Sequence, residues 1–182
     1  DMPKAFDRHQ VNNWTRQGTL DERSKAHIEG LYDGELRFTS EQIGRLVDAL
    51  DAMPGQTLIA IHSDHGEEFW EHGGYEHNHT LYQEVTEAVL WVRPPGGTEG
   101  GPVRVDHPAT LADIAPTLYD FVGFEDVPPT DGISLRPYME GRAEPSARDI
   151  GIAHLRYGLD RWAVVHDAHK YVVFTGDGRE EL

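Results

Sequence analysis

Cysteine is absent from all 182 residues. That excludes disulfides, thiolate metal sites and cysteine nucleophiles from this stretch, and it leaves the redox compartment open. Lysine is nearly absent: it stands only at Lys4, Lys25 and Lys170, and the other 13 cations are arginine. Long apolar runs are missing too, and none approaches the roughly 20 residues a membrane-spanning helix needs. The opening residues do not read as a signal peptide. Asp1 is not a natural start residue, so the numbering is expected to begin inside something larger or after processing. With 16 Lys+Arg against 32 Asp+Glu, cations are too few for clustered phosphate contacts. The net charge of -16 argues against duplex DNA and anionic membranes as partners.

What is present is enough for a folded domain. The length fits one domain with room for a small appended subdomain, and a 38% hydrophobic, 9% aromatic composition can bury a core. A surface rich in Asp/Glu and poor in Lys looks like that of proteins from salt-loving organisms, where concentrated salt screens self-repulsion. An acidic protein from an arginine-biased genome has the same composition.

Residues 1–20 read as a polar, aperiodic lead-in. A helical pattern starts at Glu22 and is interrupted by Gly30 and Gly34. A second helix is expected after a cap at Thr39 or Ser40, with Ile43, Leu46, Val47 and Leu50 at i, i+3, i+4, i+7 and a stop at Pro54-Gly55. Thr57 to Ile61 reads as a buried parallel strand, residues 66–80 as a loop, Ala88 to Val92 as another strand, and Val103 and Val105 as a short edge strand. Pro116 within Thr110–Val122 places the start of the next helix near Ala115, after a turn built on Asp113. Asp131-Gly132-Ile133-Ser134-Leu135 reads as a turn into a short helix. The alternation over residues 150–174, split at Asp167-Ala168-His169, is a hairpin. The expected class is α/β: a mostly parallel sheet flanked by helices, with a small C-terminal antiparallel hairpin.

The strongest chemical signal is Ser63-Asp64-His65-Gly66, directly after the first strand. In open parallel sheets ligands gather at the carboxyl ends of strands. Asp64 and His65 offer one hard oxygen and one imidazole nitrogen, both suited to a divalent cation. A surface turn is the competing reading. His72, His77 and His79 follow among Glu67, Glu68, Glu71 and Glu76. An imidazole can hydrogen-bond an anionic substrate oxygen, or these histidines can simply balance the carboxylates of a solvated loop.

Taken in order, Leu31-Tyr32-Asp33-Gly34-Glu35-Leu36, Ile43-Gly44-Arg45-Leu46, Ser63-Asp64-His65-Gly66-Glu67-Glu68, Glu71-His72-Gly73, Thr80-Leu81-Tyr82-Gln83-Glu84, Asp113-Ile114-Ala115-Pro116-Thr117-Leu118 and Asp131-Gly132-Ile133-Ser134-Leu135 resemble the C-terminal half of the sulfatases, in the alkaline phosphatase superfamily. The succession covers residues 28–140. The resemblance implies an incomplete alkaline phosphatase-like domain over residues 1–140 and a small antiparallel appendage, itself cut short, over 141–182. It implies that Asp64 and His65 help hold a divalent metal, calcium first and manganese or magnesium as alternatives. It places His79 against the sulfate or leaving-group oxygen.

The family's Cys/Ser-x-Pro-x-Arg nucleophile setting does not occur: Ser134 is followed by Leu135-Arg136-Pro137. The expected function is therefore part of a metal-dependent sulfate ester hydrolase, inactive without the nucleophile half. Its partners would be a sulfate or phosphate ester, the missing N-terminal half and, through an exposed sheet, a second copy. A phosphodiesterase, phosphonate hydrolase or phosphoglycerol transferase of the same superfamily is the alternative. A non-catalytic cation-binding or interaction domain is the third reading. Substrate identity and compartment are open.

Overall fold

The computed structural model describes residues 7–77, 79–98, 101–154 and 160–182. In chain order the elements are α1 (Arg8–Gln17), α2 (Glu22–Asp51), β1 (Ile59–His62), β2 (Glu68–Phe69), β3 (Tyr75–Glu76), α3 (Gln83–Thr86) and β4 (Leu90–Arg93). A 3₁₀ turn (Leu111–Asp113), α4 (Ile114–Val122), α5 (Arg136–Met139), β5 (Ile150–His154), β6 (Arg161–His166), β7 (His169–Phe174) and β8 (Arg179–Glu181) follow. They form two compact units, Asp1–Gly55 with Gly66–His79, and Gln56–His65 with Thr80–Leu182.

In the first unit, α1 stands where residues 8–17 were expected to be aperiodic; positions 1–6 of that lead-in lie outside the described residues. Its polar sequence hides the helix, but the ends are well made. Asp7 Oδ1 accepts from the amides of His9 and Gln10 at 2.9 and 3.2 Å, and Gly18 closes the helix at φ 63°. Val11 is fully buried. The two helices expected between Glu22 and Leu50 are one helix of 30 residues. Asp21 caps it through the Ser24 amide at 2.8 Å, and it passes through Gly30, Gly34, Thr39 and Ser40. An interior glycine costs about 1 kcal/mol relative to alanine, which weakens a helix without ending it.

Residues 66–80 were expected as a loop, yet β2 and β3 pair antiparallel inside them, Glu68 opposite Glu76 and Phe69 opposite Tyr75. Two-residue strands are too short to show alternation. Trp70 (φ 70°), Gly73 (φ 84°) and Glu76 (φ 72°) are left-handed here. The first and last are held by neighbours: the Trp70 ring stacks on Tyr75 at 5.2 Å and donates to Thr15 Oγ1 at 3.0 Å, while Asn12 donates to Glu76 at 2.7 Å.

In the second unit the expected parallel pairing gives way to an antiparallel one. Ile59 lies opposite Arg93 and His62 opposite Leu90 in the β1–β4 ladder. A continuous apolar run reports burial, not strand direction, and that is why the sequence misled. Residues 103–105, expected as an edge strand, are irregular, and Val103 is exposed. The helix beyond Asp113 forms as expected, with Pro116 in its first turn.

Thr110 and Asp113 form a capping box, and Gly132 is pressed against the preceding turn. A Cβ there would meet the Ala112 carbonyl oxygen at 2.0 Å. That close approach lets Ile133 N donate to Asp113 Oδ1 at 2.8 Å and Leu135 N to Thr117 Oγ1 at 2.9 Å. The Asp-Ile-Ala-Pro-Thr and Asp-Gly-Ile-Ser-Leu blocks are thus two halves of one hydrogen-bonded clasp.

The expected C-terminal hairpin is part of a four-stranded antiparallel sheet in the order β5-β6-β7-β8. Ala163, Val172 and Phe174 point to one face and pack with Leu81, while Trp162, Val164 and Tyr171 on the other face are exposed. Tyr82 donates to Glu181 Oε2 at 2.5 Å, and Lys170 Nζ donates to Thr86 Oγ1, so α3 and its flanks are tied to the sheet. Among the described residues no helix is long and apolar enough to cross a membrane.

Candidate active site

β1 delivers Asp64 and His65. Its last rung is extended by Ser63, whose amide donates to Val89 O at 3.1 Å and whose Oγ accepts from the Val89 amide at 2.9 Å. The chain is therefore pinned up to the residue before Asp64. Asp64 Oδ1 accepts from the His65 amide at 3.1 Å, and Asp64 Oδ2 stands 3.6 Å from His65 Nε2. The Asp64 side chain is 83% exposed and that of His65 40%. Two donors bound to one divalent ion sit about 3.0–3.8 Å apart. The pair therefore has the chemistry and the spacing of two cation ligands, and both side chains are open to solvent.

The hairpin of the first unit organises the histidines. Glu67 and Glu68 each take one ring. His77 Nδ1 lies 3.0 Å from Glu67 Oε1, and His79 Nε2 lies 2.7 Å from Glu68 Oε2. The expectation that these histidines balance nearby carboxylates matches this geometry for both. His72 contributes its amide, which donates to Glu68 Oε1 at 3.1 Å. Glu68 is 1% exposed although it sits in a run of acidic residues. Sequence reasoning counted it among loop carboxylates. The available signal was its place directly before Phe69 and Trp70, two aromatics that pack.

A second buried charge lies in the other unit. Asp113, 0% exposed, receives a forked pair of bonds from Arg148 at 2.6 and 3.0 Å. Burial pushes its carboxyl up, but the bonds from Arg148, Ile133 and Thr110 outweigh that and hold it below its usual value. His107 stacks on Tyr138 with ring centroids 3.9 Å apart. Burial, reinforced by the Arg148 charge, pushes its pKa down against the pull of Asp113. Asp113 and Arg148 tie the clasp to the segment leading into β5.

The family model for Sulfatase matches residues 1–124. The Delta 4,5-hexuronate-2-O-sulfatase of Bacteroides thetaiotaomicron is 25% identical over 166 residues, 89% of this chain and 32% of that protein. The 2,3-bisphosphoglycerate-independent phosphoglycerate mutase of Natronomonas pharaonis is 37% identical over 110 residues, 60% of this chain and 19% of that protein. A solved 2-O GAG sulfatase superposes with a TM-score of 0.74 at 22% identity, over 93% of this chain and 38% of that one. The structural likeness establishes the alkaline phosphatase-like fold of the sulfatases. This chain spans about a third of the length of that Bacteroides sulfatase and of an arylsulfatase from Clostridium perfringens. With the matched span covering well over half of its residues, the chain belongs to the sulfatase family.

Proposed function

We propose that the protein is a metal-dependent hydrolase of sulfate esters, and that residues 1–182 contribute part of its metal site and a histidine contact to the substrate. The observation that carries this reading is the Asp64–His65 pair, two solvent-open donors 3.6 Å apart just beyond β1. In this reading the pair holds calcium, with manganese or magnesium as alternatives. A bound divalent cation supplies electrostatic stabilisation of charge on the ester oxygens.

His79 hydrogen-bonds the sulfate or the leaving oxygen. The protein's own task at that atom is to present a fixed donor where negative charge grows. The nucleophile is not among these residues, which hold no Cys/Ser-x-Pro-x-Arg sequence. Residues 1–140 belong to the α/β domain and 141–182 to its antiparallel appendage. The exposed Trp162, Val164 and Tyr171 make self-association through the sheet part of the same reading.

A phosphate ester is the second reading, and the match to a phosphoglycerate mutase favours keeping it. In the full-length chain, Asp64→Ala is expected to lower hydrolysis of 4-nitrophenyl sulfate at least roughly a hundredfold, with partial recovery at high calcium or manganese. Unchanged hydrolysis eliminates the ligand role. Faster turnover of a 4-nitrophenyl phosphate ester than of the sulfate would move the assignment to phosphate.

A further inference from the structure

We propose that Glu68 is the positioning residue for His79, fixing which ring nitrogen is left to meet the substrate. The inference rests on the reading of His79 as a substrate contact and adds to it the residue that aims the ring.

Glu68 is buried on the β2–β3 hairpin, and among the described residues it is bonded by His72, Gly74 and His79, all within eleven positions of it. Oε1 accepts from the amides of Gly74 at 2.6 Å and His72 at 3.1 Å. Oε2 faces His79 Nε2 at 2.7 Å. One carboxylate oxygen is thus occupied by backbone donors that cannot move without breaking the hairpin, and the other is aimed at the imidazole. Gly74 makes room for this. A Cβ on it would stand 2.1 Å from His79 Nε2 and 2.8–2.9 Å from both Glu68 oxygens.

The hairpin is itself anchored by Trp70 on Thr15 and by Asn12 on Glu76. With Nε2–H committed to Glu68, only Nδ1 can serve an ester oxygen. Among the described residues Nδ1 faces His77 O, at the far limit of a hydrogen bond at 3.4 Å. In the imidazolium form Nδ1–H is the group that donates to the ester oxygen, while Nε2–H stays hydrogen-bonded to Glu68.

Glu68→Gln gives a sharp test. The two backbone amides require the Gln carbonyl oxygen, so its NH₂ group must face His79 Nε2 and donate to it. That forces the proton onto Nδ1. In full-length protein labelled with ¹⁵N-histidine, with the pH raised until the histidine signals change no further, the His79 signals are assigned by their loss in His79→Asn. They are expected to show the Nε2–H tautomer in the wild type and the Nδ1–H tautomer in Glu68→Gln. Gly74→Ala, which leaves every charge in place, is expected to release the ring to a mixture of tautomers. An unchanged Nε2–H tautomer in Glu68→Gln overturns the proposal.

Kinetics separates this from the reading beneath it. Glu68→Gln and His79→Asn should each lower kcat about ten- to a hundredfold on sulfate esters, and the double variant should lose no more than the worse single one. Wild-type turnover by His79→Asn removes the substrate-contact reading, whatever the spectrum shows. Additive losses in the double variant overturn the claim that Glu68 acts through His79.

Discussion

Asp113 shows how a single side chain can hold together parts of the chain far apart in sequence. It receives bonds from Thr110, Ile133 and Arg148, so one buried carboxylate joins the start of α4, the Asp-Gly-Ile turn and the segment leading into β5. Removing one partner of a buried ion pair strands the other, at a cost of about 3–5 kcal/mol. Asp113→Ala is therefore expected to lower the unfolding free energy by about that amount in urea titration. The pH sign follows from the carboxyl lying below its usual value in the fold. Its contribution is complete above the unfolded carboxylate value of about 4 and is lost as pH falls through the folded one. The variant should accordingly lose part of the acid sensitivity of the wild type. The sequence carried the aspartate's role in the turn, because Asp before a Pro-containing first turn is a local signal. It carried nothing about Arg148, which lies 35 residues away.

At the scale of elements, α2 is the clearest case of local weakness overruled by context. Gly30, Gly34 and Gly44 all lie inside it, and a Cβ at any of them meets nothing within 4 Å. None has a left-handed backbone. Replacing each by alanine should stabilise the helix by about 0.5–1 kcal/mol, read as a rise in thermal midpoint that grows with the number of substitutions. The β2–β3 hairpin is the opposite case. Its two-residue strands are too short for alternation to announce them, and its two left-handed non-glycine residues, Trp70 and Glu76, carry unfavourable backbone geometry. It forms because tertiary partners on α1 satisfy Trp70 and Glu76. Helix ends such as Pro116 and the Asp167-Ala168 turn were legible in the sequence because their signals are local.

For the whole molecule, charge dominates. A net charge of -16 with only three lysines leaves a surface that repels itself at low ionic strength. Raising salt from about 0.1 to 1 M shortens the screening length from about 10 to 3 Å. The thermal midpoint is therefore expected to climb as potassium chloride is raised over that range. A midpoint that falls or stays flat would show that favourable ion pairs, not net repulsion, set the salt response. The antiparallel β1–β4 ladder also belongs to this scale. The run from Thr57 to Ile61 announced a strand, while its partner and its direction depended on how the chain returned through α3.

The sequence by itself determined the family, the turn built on Asp113, the start of α4, the C-terminal hairpin and the candidate pair Asp64–His65. Each is written in residues close together or in motifs whose order is itself informative. Only the tertiary structure decided that β1 runs antiparallel to β4, that α2 is unbroken, and that Glu68, one acidic residue among many, is buried against His79. Burial and pairing are properties of the folded surroundings, and a carboxylate carries no mark in its own sequence of whether water or an imidazole will satisfy it.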